Sequence, residues 1–179
     1  MKKINFNLIF RNMKKSFKFL MIVAFLTFLS VASFGQEEKE KLVKPEPIGE
    51  AQIDGWVDKC FELYDTTCKA DEDIKVVDEM LKSFEADANN ITEGKKASLK
   101  NNLEIMTKRT GECQAQVINL AGKTEEMTTT AKNITPKTKM PKAIKSVNTG
   151  AKALNETKSN LARQAKAIAE QSEKAKNYL

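Results

Sequence analysis

The sequence has 179 residues, of which 30% are charged and 7% aromatic, with 30 Lys and Arg against 24 Asp and Glu and no His. The absence of His excludes the commonest general base, the Ser-His and Cys-His nucleophile pairs and most zinc and copper sites. No glycine-rich phosphate loop of the G-x-x-x-x-G-K type is present either. The sequence therefore predicts no enzymatic activity, no cofactor and no metal site.

The first 35 residues have the features of a secretory signal peptide. Six basic residues precede an uncharged, mostly apolar block from Phe19 to Phe34, and the small residues Ser33 and Gly35 come just before Gln36. The alternative is an uncleaved membrane anchor, but this block is shorter than the ~20 residues that a spanning helix needs. We predict cleavage near Gly35–Gln36. The segment resembles the signals of exported bacterial proteins, which implies a periplasmic, surface-associated or extracellular protein.

Loss of the signal changes the charge balance of the chain. Six basic and no acidic residues precede Gln36, so the remaining chain has 24 of each sign and nucleic acid is not an expected partner. Residues 36–94 carry a net charge of −10, and residues 95–140 and 141–179 carry +5 each. This segregation predicts pairing between helices across their solvated flanks, or alternatively a basic face aimed at anionic lipid or polysaccharide.

A flexible acidic linker is predicted for residues 36–48, which contain Pro45 and Pro47 and no apolar periodicity. The first helix is predicted at about 50–90. Its middle, residues 66–73, is polar but has neither Gly nor Pro. It is therefore either one helix with a soft or kinked centre, or two shorter helices with Asp71 capping the second. Its apolar stripe consists of Ile53, Val57, Cys60, Tyr64, Thr67, Ile74, Val77, Leu81, Phe84, Ala88 and Ile91.

The second helix, predicted at about 92–134, has the most regular apolar stripe in the chain. Asn90 and Glu93 resemble a capping box at its start. Gly111 and Gly122 interrupt it at a cost of ~1 kcal/mol each relative to Ala, so packing must hold this helix. The stripe alternates steps of four and three residues through Leu99, Leu103, Met106, Thr110, Cys113, Val117, Leu120, Thr124, Met127, Ala131 and Ile134. This period of 3.5 is typical of a helix that lies along a partner helix.

The third helix is predicted at about 141–177, after a break formed by Pro136 and Pro141. Pro141 suits the first turn of a helix. Its predicted stripe consists of Ile144, Val147, Ala151, Leu154, Lys158, Leu161, Ala165, Ile168, Ser172, Ala175 and Leu179. No strand pattern appears after residue 36. Short connections favour antiparallel neighbours, so residues 49–179 predict an all-α fold, an elongated up-down-up, coiled-coil-like bundle of three helices.

The three cysteines follow the predicted signal, and an oxidising compartment favours one disulfide and one unpaired thiol. Cys60 and Cys68 are too far apart along one helix to be bridged. Folding the chain about Asn90 brings Cys68 and Cys113 to the same height. We therefore predict a Cys68–Cys113 disulfide and a buried Cys60 thiol. The alternative is that all three stay reduced as small core residues.

Two short features of the first helix suggest further roles. Trp56, Phe61 and Tyr64 cluster near its start, where they either form core at one end of the bundle or act as an exposed anchor for a partner. Asp65-Thr66-Thr67 resembles an O-glycosylation acceptor of exported bacterial proteins, which makes Thr66 a candidate modification site. The alternative is that this triplet is only the polar middle of the helix.

These features predict an exported, non-enzymatic helical bundle that acts as an interaction or scaffold module in the cell envelope. Its partner would be another envelope protein or a second copy of itself. One alternative is a lipid- or membrane-surface-binding protein whose third helix opens onto the membrane. A second is a periplasmic holdase-type chaperone. Exported helical holdases are similar in size and helix content, but they add a small β-body for which this sequence has no strands.

Overall fold

The computed structural model describes residues 41–179, which form three rods packed side by side. The first rod is α1 (Ala51–Ala86) and the third is α4 (Met140–Ala175). The second rod consists of α2 (Glu93–Gly122) and α3 (Thr124–Asn133), and Ala88–Asn90 and Lys137–Lys139 are short 3₁₀ turns. No β-strand occurs between residues 41 and 179. The predicted all-α, up-down-up bundle is confirmed. The predicted signal peptide (residues 1–35) lies outside the described residues.

α1 is one continuous helix of 36 residues, about 54 Å long at 1.5 Å per residue. The polar stretch at residues 66–73 does not interrupt it, and two of its charged side chains form contacts with the other rods. Asp71 forms an ion pair with Arg163 of α4 at 2.5 Å, and Asp73 forms one with Arg109 of α2. The acidic first rod is thus paired with both basic rods, as one of the two charge interpretations predicted.

The second rod is interrupted once, at Lys123, whose backbone N–H donates to the Leu120 carbonyl at 3.1 Å. Its start also differs from the prediction, because the N-cap is Thr92, whose hydroxyl accepts from the Lys95 N–H at 3.3 Å. Asn90 lies in the preceding 3₁₀ turn and donates from its side chain to Asp87. At the next break the Thr135–Pro136 peptide bond is cis, and Pro141 lies in the first turn of α4 as predicted.

The core runs along the inner stripes of all three rods. The stripe predicted for the second rod is buried or half-buried at all positions from Leu99 to Ile134. In α4 the predicted stripe is likewise buried or half-buried, except at Leu179. One row is fully buried, Val147, Leu154, Leu161, Ile168 and Ala175. The predicted row that contains Ile144 is only half-buried, and a fully buried row that was not predicted lies one residue before it. This inner row of α4 consists of Ala143, Gly150, Thr157, Gln164 and Gln171.

Residues 41–50, here called the leading segment, lie along α1 instead of forming a free linker. The Asp54 carboxylate accepts from the backbone N–H groups of Ile48, Gly49 and Glu50 at 2.9–3.1 Å. Gly49 has φ +79°, a left-handed conformation that glycine adopts at no steric cost. The segment runs back along the helix, with Ile48 buried in the core. Ion pairs of Lys44 with Asp58 at 2.7 Å and of Lys41 with Asp65 at 3.3 Å hold it there.

Candidate functional site

The predicted Cys68–Cys113 disulfide is wrong, because Cys60, Cys68 and Cys113 are all free thiols. The prediction that Cys68 and Cys113 lie at similar heights along the hairpin of α1 and α2 was nearly right, since Asp73 and Arg109 form an ion pair across the same two helices nearby. Height along a hairpin does not fix direction, however, because successive helical residues point about 100° apart. Cys113 points into the core, whereas Cys68 lies beside Tyr64 and under the Lys41 end of the leading segment.

Burial keeps these thiols protonated. It raises the pKa of Cys60 to about 12 and raises the pKa of Cys68 and of Cys113 above the ordinary value of 9.0. The thiolate is the nucleophile and the metal-binding form of cysteine. Burial therefore favours the neutral thiol form of all three cysteines.

The raised pKa of Cys60 predicts a loss of stability in alkali. A thiol whose folded pKa lies above its unfolded value stabilises the fold fully below pH 9, and this contribution falls as pH rises towards 12. We expect the free energy of unfolding to fall by up to about 1 kcal/mol per pH unit above pH 9 from this group. Cys60→Ala removes that component. Urea unfolding of both proteins in reductant at a series of pH values measures it, and parallel pH profiles would contradict the prediction.

The aromatic cluster near the start of α1 is core. Trp56, Phe61 and Tyr64 are all buried, so they do not form an exposed anchor. The Trp56 indole N–H donates to the Leu120 carbonyl of α2 at 3.1 Å. On its other side the indole ring lies against Gly150 of α4, where a Cβ atom would be only 2.6 Å from the ring. Trp56 therefore joins all three rods at this end of the bundle.

The leading segment covers the outer edge of this cluster. The Tyr64 hydroxyl accepts from the Leu42 backbone N–H at 3.3 Å, and burial raises the pKa of Tyr64. Thr66, the predicted O-glycosylation site, is half-buried in the middle of α1. Its hydroxyl donates to the Glu62 carbonyl at 2.7 Å. Thr66 as a glycosylation site stays a prediction.

The seam between α1 and α4 contains two buried glutamines that the sequence analysis missed. The side-chain amide of Gln164 donates to the Thr67 carbonyl at 2.5 Å and to the Asp71 carboxylate at 2.8 Å. One heptad later, Gln171 donates to the Ile74 carbonyl and to the Asp78 carboxylate, both at 2.8 Å. We call these two residues the glutamine ladder. Both are spaced 97 residues from the carbonyl that they bind, so α1 and α4 are parallel and in constant register.

The ladder was detectable in principle. Gly150, Thr157, Gln164 and Gln171 follow one another at intervals of seven, which is the signature of one row on a coiled-coil helix. Their polarity and small size hid this row, because a search for apolar residues selects Ile144 and its heptad partners instead. The side chain of Gln171 is not fully hydrogen-bonded, since its Oε1 is buried without a hydrogen-bond partner. Gln164 is therefore the better satisfied residue of the two.

α2 presents an outward surface that the rest of the described chain does not cover. Gly111, Ala115, Ile118 and Gly122 are all exposed and are spaced four, three and four residues apart, and we call them the outer stripe. The Ile118 side chain is 63% exposed. A Cβ atom at Gly111 or at Gly122 would meet nothing within 4 Å. The stripe thus repeats the spacing of the buried seam on the solvent side of the same helix.

No group of His, Cys, Asp and Glu side chains suited to a metal ion occurs among residues 41–179. Within the same range, every helix is too polar or too short to cross a bilayer. In comparisons with known proteins, no family model, no curated protein and no solved structure matches this chain.

Proposed function

We propose that this protein is an exported, non-enzymatic interaction module of the cell envelope and that the outer stripe of α2 is its protein-binding surface. The occupant that this surface suits is an amphipathic helix, from another envelope protein or from a second copy of this chain. Small residues at four- and three-residue spacing let two helix backbones approach closely, and one large apolar residue supplies contact area.

The observation that carries the proposal is the glycine in the middle of α2. A glycine inside a helix costs about 1 kcal/mol relative to Ala. At Gly150 the fold requires the absence of a side chain, because the Trp56 ring fills the space. At Gly111 the bundle has no such requirement, since the surrounding space is open and φ is not positive. Gly55 has the same open surroundings, but Gly111 differs from it in lying in line with the exposed Ala115 and Ile118, where the open space leaves room for close approach of a partner along the outer stripe.

The remaining chemistry of the described residues supports a non-enzymatic role. The thiols are held protonated by burial. The buried amide groups of the ladder and the carboxylates of Asp71 and Asp78 are engaged with one another. These contacts bind α1 and α4 together.

The alternative in which α4, the third rod, opens onto a membrane is less well supported. The apolar row of α4, including Leu154 and Leu161, is buried against the other rods, and the ladder adds hydrogen bonds that opening would break. A holdase role makes a separate prediction, suppression of client aggregation at stoichiometric ratio. No feature of residues 41–179 favours it over a dedicated protein interface.

A photocrosslinking amino acid at position 118, placed in the chain in its producing cell, tests the proposal. We expect one discrete adduct, whose mass distinguishes a second copy of this chain from another protein. The partner is then purified and its affinity measured. Ile118→Lys should weaken binding at least about tenfold, because it places a charge in the desolvated centre of the interface. The matched control is Val76→Lys, a similarly exposed apolar position on α1.

A pair of glycine substitutions separates binding from folding. Gly111→Ala and Gly55→Ala both add a methyl group in open space within a helix, so both should raise the free energy of unfolding by about 0.5–1 kcal/mol. Only Gly111→Ala should weaken partner binding. Equal affinities for the two variants, or the absence of any adduct at position 118, would overturn the proposal.

A further inference from the structure

One end of the bundle concentrates positive charge. Between Met127 and Asn155 the sequence has six lysines and no Asp or Glu. Five of them surround the connection between α3 and α4, at the end of the bundle where α1 also begins. We call this set the basic tip. It consists of Lys132, Lys137, Lys139, Lys142 and Lys145.

The lysines of the basic tip are available to solvent and are only partly neutralised. Four of the five are exposed and Lys139 is half-exposed. Two form long ion pairs with the leading segment, Lys139 with Glu50 at 3.6 Å and Lys142 with Glu46 at 3.7 Å. Lys132, Lys137 and Lys145 form no ion pair with any residue of the described chain. The helix dipole of α4 is also positive at this end, where its first turn lies.

We propose that the basic tip docks the protein on a surface of anionic phospholipid headgroups. This site goes beyond the interface proposed above, because it lies at the end of the bundle and not along the outer stripe of α2. Lysine is a compact, strongly hydrated point charge that suits a diffuse layer of anionic headgroups. The tip has no arginine for bidentate phosphate recognition and no aromatic ring on which a nucleotide base stacks. A lipid surface is therefore favoured over a nucleic acid.

The leading segment weakens docking of the basic tip on an anionic surface. Glu46 and Glu50 place two negative charges beside the lysines that they pair with, and the Glu46 side chain is 89% exposed. These acidic groups repel an anionic surface. Their removal should strengthen docking, an effect that a misfolded variant does not produce.

Vesicle co-sedimentation tests the proposal. The protein is the processed chain, purified from the cell that produces it. The vesicles contain phosphatidylglycerol and phosphatidylcholine in equal parts, or phosphatidylcholine alone. Each lysine near an anionic surface changes partitioning by roughly fivefold. Replacing Lys132, Lys137 and Lys145 with Gln should therefore weaken binding on the order of 100-fold. Glu46→Gln combined with Glu50→Gln should strengthen it severalfold, and added salt should weaken it.

The matched control replaces Lys82, Lys95 and Lys100 with Gln, which changes the net charge equally at exposed sites on α1 and α2 away from the tip. This control should bind within about twofold of the parent chain if docking depends on the tip and not on net charge. All variants are identical in the part of the chain that precedes Lys41, so any binding through that part cancels between them.

Several outcomes would overturn the proposal. They are equal loss in the tip and control variants, equal binding to neutral and anionic vesicles, full competition by inorganic phosphate at matched ionic strength, or tighter binding to a DNA duplex than to the anionic vesicles. Ile118→Lys distinguishes this site from the interface on α2, since it should weaken partner binding and leave vesicle binding unchanged.

Discussion

Trp56→Ala is expected to lower the free energy of unfolding by about 3–5 kcal/mol, the range for removing a large buried aromatic side chain. The indole contacts all three rods through its ring and its bond to the Leu120 carbonyl. Its loss leaves a cavity at the junction of the rods. Urea unfolding followed by far-UV circular dichroism measures the change, because the variant has no tryptophan fluorescence.

Gly150→Ala tests the same contact from the other side. Alanine gains about 1 kcal/mol of helix propensity, but its Cβ atom would lie 2.6 Å from the ring of Trp56. We expect a net loss of about 1–2 kcal/mol, since overpacking a rigid ring costs more than the propensity gain. In a Trp56→Phe background the same substitution should be neutral or stabilising. An equal effect in both backgrounds would contradict the contact.

Gln164→Glu is expected to destabilise the protein by about 3 kcal/mol or more at neutral pH, the cost of an uncompensated buried charge. The new carboxylate would face the Thr67 carbonyl and the Asp71 carboxylate. Arg163 is the nearby cation, but it is already paired with Asp71 and its side chain is 45% exposed. Burial and the neighbouring negative charge would both raise the pKa of the new carboxyl group.

The sign of the pH dependence follows from that raised pKa. The folded state would bind a proton more tightly than the unfolded chain, so the penalty is absent below the unfolded value of about 4.3 and grows as pH rises above it. Gln164→Leu is the uncharged control and should cost about 1 kcal/mol with no added pH dependence. Chemical unfolding at acid and neutral pH distinguishes the two. A Gln164→Glu penalty that does not change with pH would contradict the buried position of this side chain.

The sequence was sufficient to predict the helices because their stripes are apolar at a constant period. The stripe from Leu99 to Ile134 needed no knowledge of its partners, and the polar centre of α1 did not break that helix. Contacts that depend on direction around a helix were not predictable in this way. Cys68 and Cys113 lie at similar heights but are not bonded to each other, and the fully buried inner row of α4 lies one residue away from the predicted row.

Polar residues caused the other differences. Gln164 and Gln171 have polar side chains, which hydropathy scales assign to the surface. Only the carbonyl and carboxylate acceptors of α1 make their burial favourable. The leading segment was predicted as a linker from its prolines and charges. Asp54 holds it on α1 through three backbone N–H groups, a local arrangement that composition does not show.

The register of the glutamine ladder has a consequence for the order of folding. Gln164 and Thr67 are separated by 97 residues, so joining α1 to α4 closes a long loop, while the hairpin of α1 and α2 closes a short one. We expect the hairpin to form first and the parallel seam to dock late. Weakening the ladder should then accelerate unfolding and leave the folding rate nearly unchanged.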